Sequence, residues 1–156
     1  MVEPIHQNQP VISFGTDLDE AEVAVILLHG RGSSAQAMIP LAQELQREGI
    51  NFHIPQSTLN RWYPNSDFGS IESNEPDLSS ALDTVNLLVK ELQDHGFTLD
   101  QIVIGGFSQG ACLASEYVVR NPGRYGGLFV FSGALIGPAE MVRNDQGSSW
   151  MLSYPC

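Results

Sequence analysis

The chain has 156 residues, of which 42% are hydrophobic and 16% charged, and its formal net charge is −11. This length corresponds to one domain or part of one, and so apolar a composition excludes a disordered chain. The acidic balance argues against binding to nucleic acid or to anionic lipid, because both need a basic surface. No apolar run reaches the ~20 residues of a membrane span. With no secretory signal and only two cysteines, the sequence predicts a cytoplasmic protein without a disulfide framework.

Apolar runs alternate with helical periodicity along the chain, which is typical of an α/β sheet with crossover helices. Strands are predicted at 11–14, 23–29, 51–55, 101–104 and 128–132. Helices are predicted after Ser34, with Pro40 opening the main part and Gly49 closing it, from Asp77 as the cap to Gly96, and over 109–121. The predicted fold class is α/β, with a mostly parallel sheet.

The segment from Gly106 to Gly110 reads Gly-Phe-Ser-Gln-Gly and joins a buried strand to an apolar helix. In that context the pattern indicates a nucleophile elbow, a tight turn that needs very small flanking residues and exposes the serine hydroxyl. It predicts Ser108 as a nucleophile facing the amides that open the helix. The alternative is a Gly-Ser turn that only connects two elements.

A second glycine-rich loop, His29-Gly30-Arg31-Gly32, follows the strand at 23–29. An α/β-hydrolase takes one oxyanion amide from this loop and one from the residue after the nucleophile. The expected donors are therefore the backbone N–H groups of Arg31 and Gln109. The alternative is a flexible connector, and the Arg31 side chain either steers an acidic substrate or is an ordinary exposed loop residue.

Several segments match one known family, among them the two glycine-rich motifs, Arg61-Trp62-Tyr63-Pro64, Asn74-Glu75-Pro76, the run from Gly105 to Ala114, Gly126-Gly127-Leu128 and Phe131-Ser132-Gly133. On these residues the chain resembles the phospholipase/carboxylesterase family of small α/β-hydrolases, which includes the acyl-protein thioesterases. The resemblance spans residues 10–138 or so. It implies the α/β-hydrolase fold, a small-molecule ester or acyl thioester as substrate, and no metal or cofactor.

A serine hydrolase also needs a base and a carboxylate, which in this fold follow the serine along the chain. No histidine follows Ser108, and the only later aspartate is Asp145. Residues 1–156 are therefore expected to form a single incomplete hydrolase domain that lacks the last strands and helices. Its core lies at about 10–138, and residues 139–156 form an irregular tail.

Two functions stay open at this point. The chain is either a serine esterase or thioesterase that obtains its base elsewhere, or a non-catalytic remnant that acts as a binding or dimerising module. Because the last strands are missing, the strand at 128–132 is expected to be an unpaired edge through which chains can self-associate.

The four histidines all precede Ser108. His29 lies at the correct end of its strand and is expected to fix the oxyanion loop by hydrogen bonds rather than to act as the base. His6 is assigned to an unstructured tail, His53 to a strand, and His95 to the surface near a helix end.

The long polar loop over 56–76 contains three aromatic residues, Trp62, Tyr63 and Phe68. Trp62 and Tyr63 either line an acyl pocket or anchor this loop on the core. Cys112, one turn beyond the predicted nucleophile, is expected to be a small buried core residue.

Overall fold

A computed structural model describes residues 2–141 of the chain. The strands are β1 (Val11–Gly15), β2 (Val23–Leu28), β3 (Ile50–Pro55), β4 (Ile102–Phe107) and β5 (Gly127–Phe131). The α-helices are α1 (Ile39–Leu45), α2 (Asp77–Asp94) and α3 (Gln109–Arg120). Four short 3₁₀ turns lie between these elements, at 36–38, 58–60, 72–74 and 99–101.

The five strands form one sheet in the order β1-β3-β2-β4-β5. β1 pairs antiparallel with β3, and all other pairs are parallel. The predicted mostly parallel sheet with crossover helices is thus confirmed. Because β2 and β4 are parallel neighbours, their carboxyl ends lie side by side. The loops that follow these two strands therefore meet at one edge of the sheet.

The sheet separates two apolar clusters. Ala24, Ile26 and Leu28 face the larger cluster, together with residues of α2 and α3. Val25 and Leu27 face the smaller cluster, together with Ala42 of α1 and Met38 just before that helix. Successive side chains of a strand point to opposite faces, so a strand covered on both faces is apolar throughout. This explains the unbroken apolar run of β2.

Helix α2 begins differently from the prediction. Pro76 already has helical angles, φ −84° and ψ −1°, so it occupies the cap position and Asp77 is the first helical residue. The expected cap by Asp77 is therefore wrong. Glu75 does part of that task, because its Oε2 accepts the Ser79 N–H at 3.0 Å. Gly96, with φ +111°, follows the end of the helix as expected.

Two other boundaries also moved. Helix α1 ends at Leu45, before the predicted stop at Gly49. Strand β4 continues past Ile104 to Phe107, because Gly105 and Gly106 keep their register with both β2 and β5. Of the predicted tail, residues 142–156 lie outside the described residues. No helix within residues 2–141 has the length and apolarity needed to cross a membrane.

Candidate active site

Ser108 occupies a sharp turn between the end of β4 and the start of α3. Its backbone angles are φ +54° and ψ −117°, which a non-glycine residue adopts only under strain. The residue is exposed, and its N–H donates to the Phe131 carbonyl of β5 at 2.8 Å. The turn therefore presents a serine hydroxyl to solvent on a backbone that the neighbouring strand holds in place.

The glycines on either side of Ser108 permit a very close approach to β2. A Cβ at Gly110 would lie 2.1 Å from the Leu28 carbonyl oxygen and 2.5 Å from that of His29. A Cβ at Gly106 would lie 2.6 Å from the Gly110 carbonyl carbon. The start of α3 is thus packed directly on the end of β2, which agrees with the expected need for very small flanking residues.

The loop after β2 lies beside this turn. A Cβ at Gly30 would lie 3.4 Å from the Ser108 Cβ and 3.2 Å from the Phe107 carbonyl oxygen. Within residues 2–141, the backbone N–H groups of Arg31 and Gln109 donate to no protein acceptor. Unused amide donors next to an exposed hydroxyl are what an oxyanion site requires. Their role as its donors stays a prediction.

The side chain of Gln109 holds the long loop over 56–76. Its Oε1 accepts the Trp62 N–H at 2.7 Å, and its Nε2 donates to the Tyr63 carbonyl at 2.9 Å. The Trp62 indole N–H donates to the His29 carbonyl at 2.9 Å. Trp62 and Tyr63 are both 0% exposed, so their packing is that of loop anchors, and their role in an acyl pocket stays a prediction.

The side chain of Arg31 holds the next residues of the same loop. Its two terminal nitrogens donate to the Pro64 carbonyl at 2.7 Å and to the Asn65 carbonyl at 2.6 Å. The guanidinium carbon also lies 5.9 Å from the centroid of the Tyr63 ring. Arg31 is therefore an exposed loop residue, as one of the two alternatives predicted, and no pattern in the sequence indicated its bonds to the Pro64 and Asn65 carbonyls.

Tyr63 has a partner of its own inside the loop. Its hydroxyl donates to the Asp67 carboxylate at 2.5 Å. Burial raises the pKa of the Tyr63 hydroxyl well above its ordinary value, and the hydrogen bond to Asp67 acts in the same direction. The phenol therefore stays protonated and serves as a hydrogen-bond donor.

His29 holds the loop after β2 by hydrogen bonds, as expected. Its Nε2 accepts the Ser57 N–H at 3.1 Å, so the proton is on Nδ1, which donates to the Gly30 carbonyl at 2.8 Å. Burial lowers the pKa of this imidazole, which keeps it neutral. Both ring nitrogens are occupied, so His29 has no free nitrogen to accept a proton from Ser108.

The assignment of His6 to an unstructured tail is wrong. This residue is 1% exposed, its Nδ1 accepts the Thr58 N–H at 3.0 Å, and its Nε2 donates to the Trp62 carbonyl at 2.9 Å. Ile5 and His6 both donate their N–H groups to the Ser80 hydroxyl of α2. The N-terminal segment is therefore tied to both α2 and the long loop by contacts that no local pattern encodes.

The other two histidines each have a side-chain partner. His53 lies in β3, where its Nδ1 is 2.6 Å from the Asn51 side-chain oxygen. His95 follows α2, and its Nε2 is 2.8 Å from the Asp19 carboxylate. Within residues 2–141, no imidazole hydrogen-bonds Ser108, and Asp145 lies outside the described residues.

Two residues of α3 complete the surroundings of the turn. Cys112 is 3% exposed, and its sulfur accepts the Ala134 N–H at 3.3 Å, which confirms the expected buried position. Glu116 is fully buried and accepts hydrogen bonds from the Ile136 N–H and from Arg120. No local pattern predicts that this carboxylate is buried, because one of its donors, the Ile136 N–H, lies 20 residues further along the chain.

A mostly parallel sheet with crossover helices, in which a central strand leads through a strained serine into a helix, defines an α/β-hydrolase fold. The match to a family model is consistent with this class, because the phospholipase/carboxylesterase model matches residues 12–153. The chain belongs to the phospholipase/carboxylesterase family.

Individual relatives agree with this assignment. The chain is 29% identical to acyl-protein thioesterase 1 of Saccharomyces cerevisiae, in a match that covers 83% of this chain and 66% of the yeast protein. It is 31% identical to acyl-protein thioesterase 1 of Eremothecium gossypii, over 72% of this chain and 55% of that protein. The chain therefore spans two thirds or less of the length of these curated relatives.

A solved structure is similar over most of the chain. The phospholipase/carboxylesterase of Dyadobacter fermentans superposes with a TM-score of 0.85 at 40% sequence identity. That superposition covers 90% of this chain and 68% of the Dyadobacter chain.

Proposed function

We propose that this chain carries the nucleophile and the oxyanion donors of a serine hydrolase that acts on small carboxylic esters or acyl thioesters. Ser108 is the nucleophile, and the backbone N–H groups of Arg31 and Gln109 are the oxyanion donors. The observation that carries the proposal is the exposed Ser108 with its strained backbone between β4 and α3. The names of the relatives, acyl-protein thioesterase and phospholipase/carboxylesterase, support the substrate class.

The reaction places negative charge beside these two amides. The Ser108 Oγ attacks the carbonyl carbon of the ester, the carbonyl oxygen becomes an oxyanion, and the leaving group departs as the acyl-enzyme forms. Each amide donor is worth ~2.7–4 kcal/mol in the transition state. The fixed position of Ser108 against Phe131 and Gly30 means that little reorganisation is needed when the charge develops.

The proton of Ser108 passes to solvent water during the attack, because the residue is exposed, and the leaving group takes up a proton from water as it departs. A water molecule then hydrolyses the acyl-enzyme and frees Ser108. His6 and His29 are buried with both ring nitrogens engaged, so neither is assigned as the base. Without a histidine base, residual catalysis of ~10³–10⁴ over the reaction in water is the scale known for serine hydrolases that keep their oxyanion donors. We therefore expect slow but Ser108-dependent turnover from this chain.

The experiment measures hydrolysis of 4-nitrophenyl butyrate and stoichiometric labelling by a fluorophosphonate. The wild-type chain should hydrolyse the ester and react at one site, and Ser108→Ala should abolish both signals. Ser132→Ala is the matched control, because Ser132 is also exposed and has a positive φ of +59° at the end of the neighbouring strand. Equal hydrolysis by the wild-type chain and Ser108→Ala, without labelling, would reject the proposal.

The proposed acyl pocket needs a movement of the long loop. Trp62 and Tyr63 are fully buried, so they can contact an acyl chain only if residues of this loop shift away from the Gln109 side chain. Phe107, next to the nucleophile, is 50% exposed and can contact the substrate without such a shift.

A location in the cytoplasm also stays a prediction.

A second candidate function is self-association through β5. Within residues 2–141 this strand pairs only with β4, and Phe131 at its end is 42% exposed. An open strand edge with apolar side chains can pair with the same edge of a second copy. Sedimentation velocity should then show dimers that Phe131→Lys weakens, and a monomer at all concentrations would contradict this function.

A further inference from the structure

The two proposed oxyanion residues share an unexpected feature, because each uses its side chain to hold the same short piece of chain. Gln109, at the start of α3, binds the backbone of Trp62 and Tyr63 through both ends of its amide. Arg31, in the loop after β2, binds the carbonyls of the next two residues. We call residues 62–65 the brace.

The contacts of Gln109 are strong ones for a neutral side chain. It is 2% exposed, and its two hydrogen bonds are 2.7 and 2.9 Å long, so both of its polar atoms are satisfied away from water. The Gln109 amide accepts from one backbone N–H and donates to one backbone carbonyl of the brace. It thus holds this segment in the way that a neighbouring β-strand would. Its loss leaves the N–H of Trp62 and the carbonyl of Tyr63 without partners.

Further bonds join the brace region to the loop after β2. The Gly32 N–H donates to the Asn60 carbonyl at 2.7 Å, and the Trp62 indole donates to the His29 carbonyl at 2.9 Å. Together with the two bonds of Arg31, these contacts lie on both sides of the Arg31 backbone N–H. The brace therefore connects the loop after β2 to the first residue of α3.

We propose that the side chains of Gln109 and Arg31 are positioning residues, which set the spacing of their own backbone N–H groups by binding a common brace. The inference rests on the proposed function, because it concerns where the oxyanion donors lie. The side chains themselves do not touch the reacting atoms. They affect the activation free energy through the position of the two amide donors, because a displacement of about 1 Å can lower the rate ~10²-fold.

The test is steady-state hydrolysis of 4-nitrophenyl butyrate by the full chain and its variants. Gln109→Met keeps the size of the side chain but makes neither hydrogen bond, and we expect kcat to fall ~10- to 100-fold while KM changes less than about twofold. Arg31→Met should lower kcat about 10-fold, and Arg31→Lys should restore part of it, because one ammonium still reaches a carbonyl. Since both side chains hold one brace, the double variant should lose less than the product of the two single losses.

Two residues at the other end of the sheet supply matched controls. Gln46 donates to the Arg47 carbonyl at 2.9 Å, and Arg47 donates to the Gln46 carbonyl at 2.6 Å, before the start of β3. Gln46→Met and Arg47→Met therefore remove the same kinds of side-chain bond to backbone carbonyls, far from Ser108. Both controls should keep the wild-type kcat.

Thermal unfolding of each variant separates positioning from stability. Arg31→Met changes an exposed side chain, so this variant is expected to fold even if Gln109→Met does not. A lower melting temperature with an unchanged kcat in Arg31→Met would overturn the inference and leave the proposed function in place. If Ser108→Ala hydrolyses the ester as fast as the wild-type chain, the proposed function fails and the inference fails with it.

Discussion

Gly110 shows how narrowly a single position is restricted at the turn. Alanine is favoured over glycine inside a helix by about 1 kcal/mol, so helix propensity alone predicts a more stable Gly110→Ala variant. The new Cβ would, however, lie 2.1 Å from the Leu28 carbonyl oxygen and 2.5 Å from that of His29. Both atoms belong to the backbone, so no rotamer change relieves the overlap.

We therefore expect Gly110→Ala to lower the free energy of unfolding by about 3 kcal/mol, the upper part of the range for overpacked sites. Urea denaturation at pH 7.5 measures this loss. Gly127→Ala is the control, because a Cβ at Gly127 meets only Val103 side-chain atoms at 3.7 Å or more. A Gly110→Ala variant as stable as the Gly127→Ala variant would show that α3 does not pack this closely on β2.

Two histidines, His6 and His29, hold the long loop over 56–76 against the sheet and α2. The Trp62 ring lies between them, with its centroid 5.4 Å from that of His6 and 5.1 Å from that of His29. Their acceptor nitrogens bind the consecutive N–H groups of Ser57 and Thr58. Protonation of either ring would turn an acceptor into a donor that faces another donor.

This arrangement predicts a loss of stability in weak acid. Burial lowers the pKa of His6 and of His29 below the ordinary value of 6.5, although the nearby Asp77 partly offsets the effect at His6. The unfolded chain therefore binds protons before the folded chain does as the pH falls below 6.5. The contribution of the two neutral histidines to the free energy of unfolding is fully present above this pH. Below it the free energy of unfolding falls, by at most about 1.4 kcal/mol per pH unit for each histidine.

Urea denaturation at several pH values between 5 and 8 or so measures the decline over the window in which histidines titrate. His6→Gln should reduce the slope below pH 6.5 relative to the wild-type chain, even though the variant is less stable at every pH. Imidazole proton resonances give the pKa of each ring in the folded state directly. A folded-state pKa above 6.5 for both rings would contradict the assigned hydrogen bonds.

For the whole molecule, charge and apolar surface act against each other. The formal net charge of −11 makes copies of the chain repel one another. The proposed self-association would instead draw on β5, which pairs only with β4 within residues 2–141, and on the exposed Phe107 and Phe131. Screening by salt weakens repulsion between separated charges, with a Debye length of ~10 Å at 0.1 M and ~3 Å at 1 M.

We therefore expect self-association through β5 to strengthen as salt rises. Sedimentation velocity at low and high concentrations of sodium chloride measures the change, and the Phe131→Lys variant should respond less than the wild-type chain. Dimers that dissociate in salt would instead indicate that ion pairs hold the copies together.

Local patterns sufficed for much of the fold. The unbroken apolar run of β2, the apolar stripe of α2 and the glycines around Ser108 predicted a mostly parallel α/β sheet with a tight turn at the serine, because each signal depends on a few neighbouring residues. Several element boundaries differ from those predicted. The predicted cap at Asp77 failed, because the backbone of Pro76 becomes helical one residue earlier than the side-chain pattern indicates.

The class of fold, the position of the exposed serine and the family all follow from local spacing and motifs in the amino-acid sequence. The side-chain hydrogen-bond partners of His6, Arg31 and Gln109, which lie 33 to 56 residues away along the chain, are known only from the folded structure. A hydrogen bond across that separation depends on how strands and loops are packed together. No periodicity or short motif in the sequence carries that information.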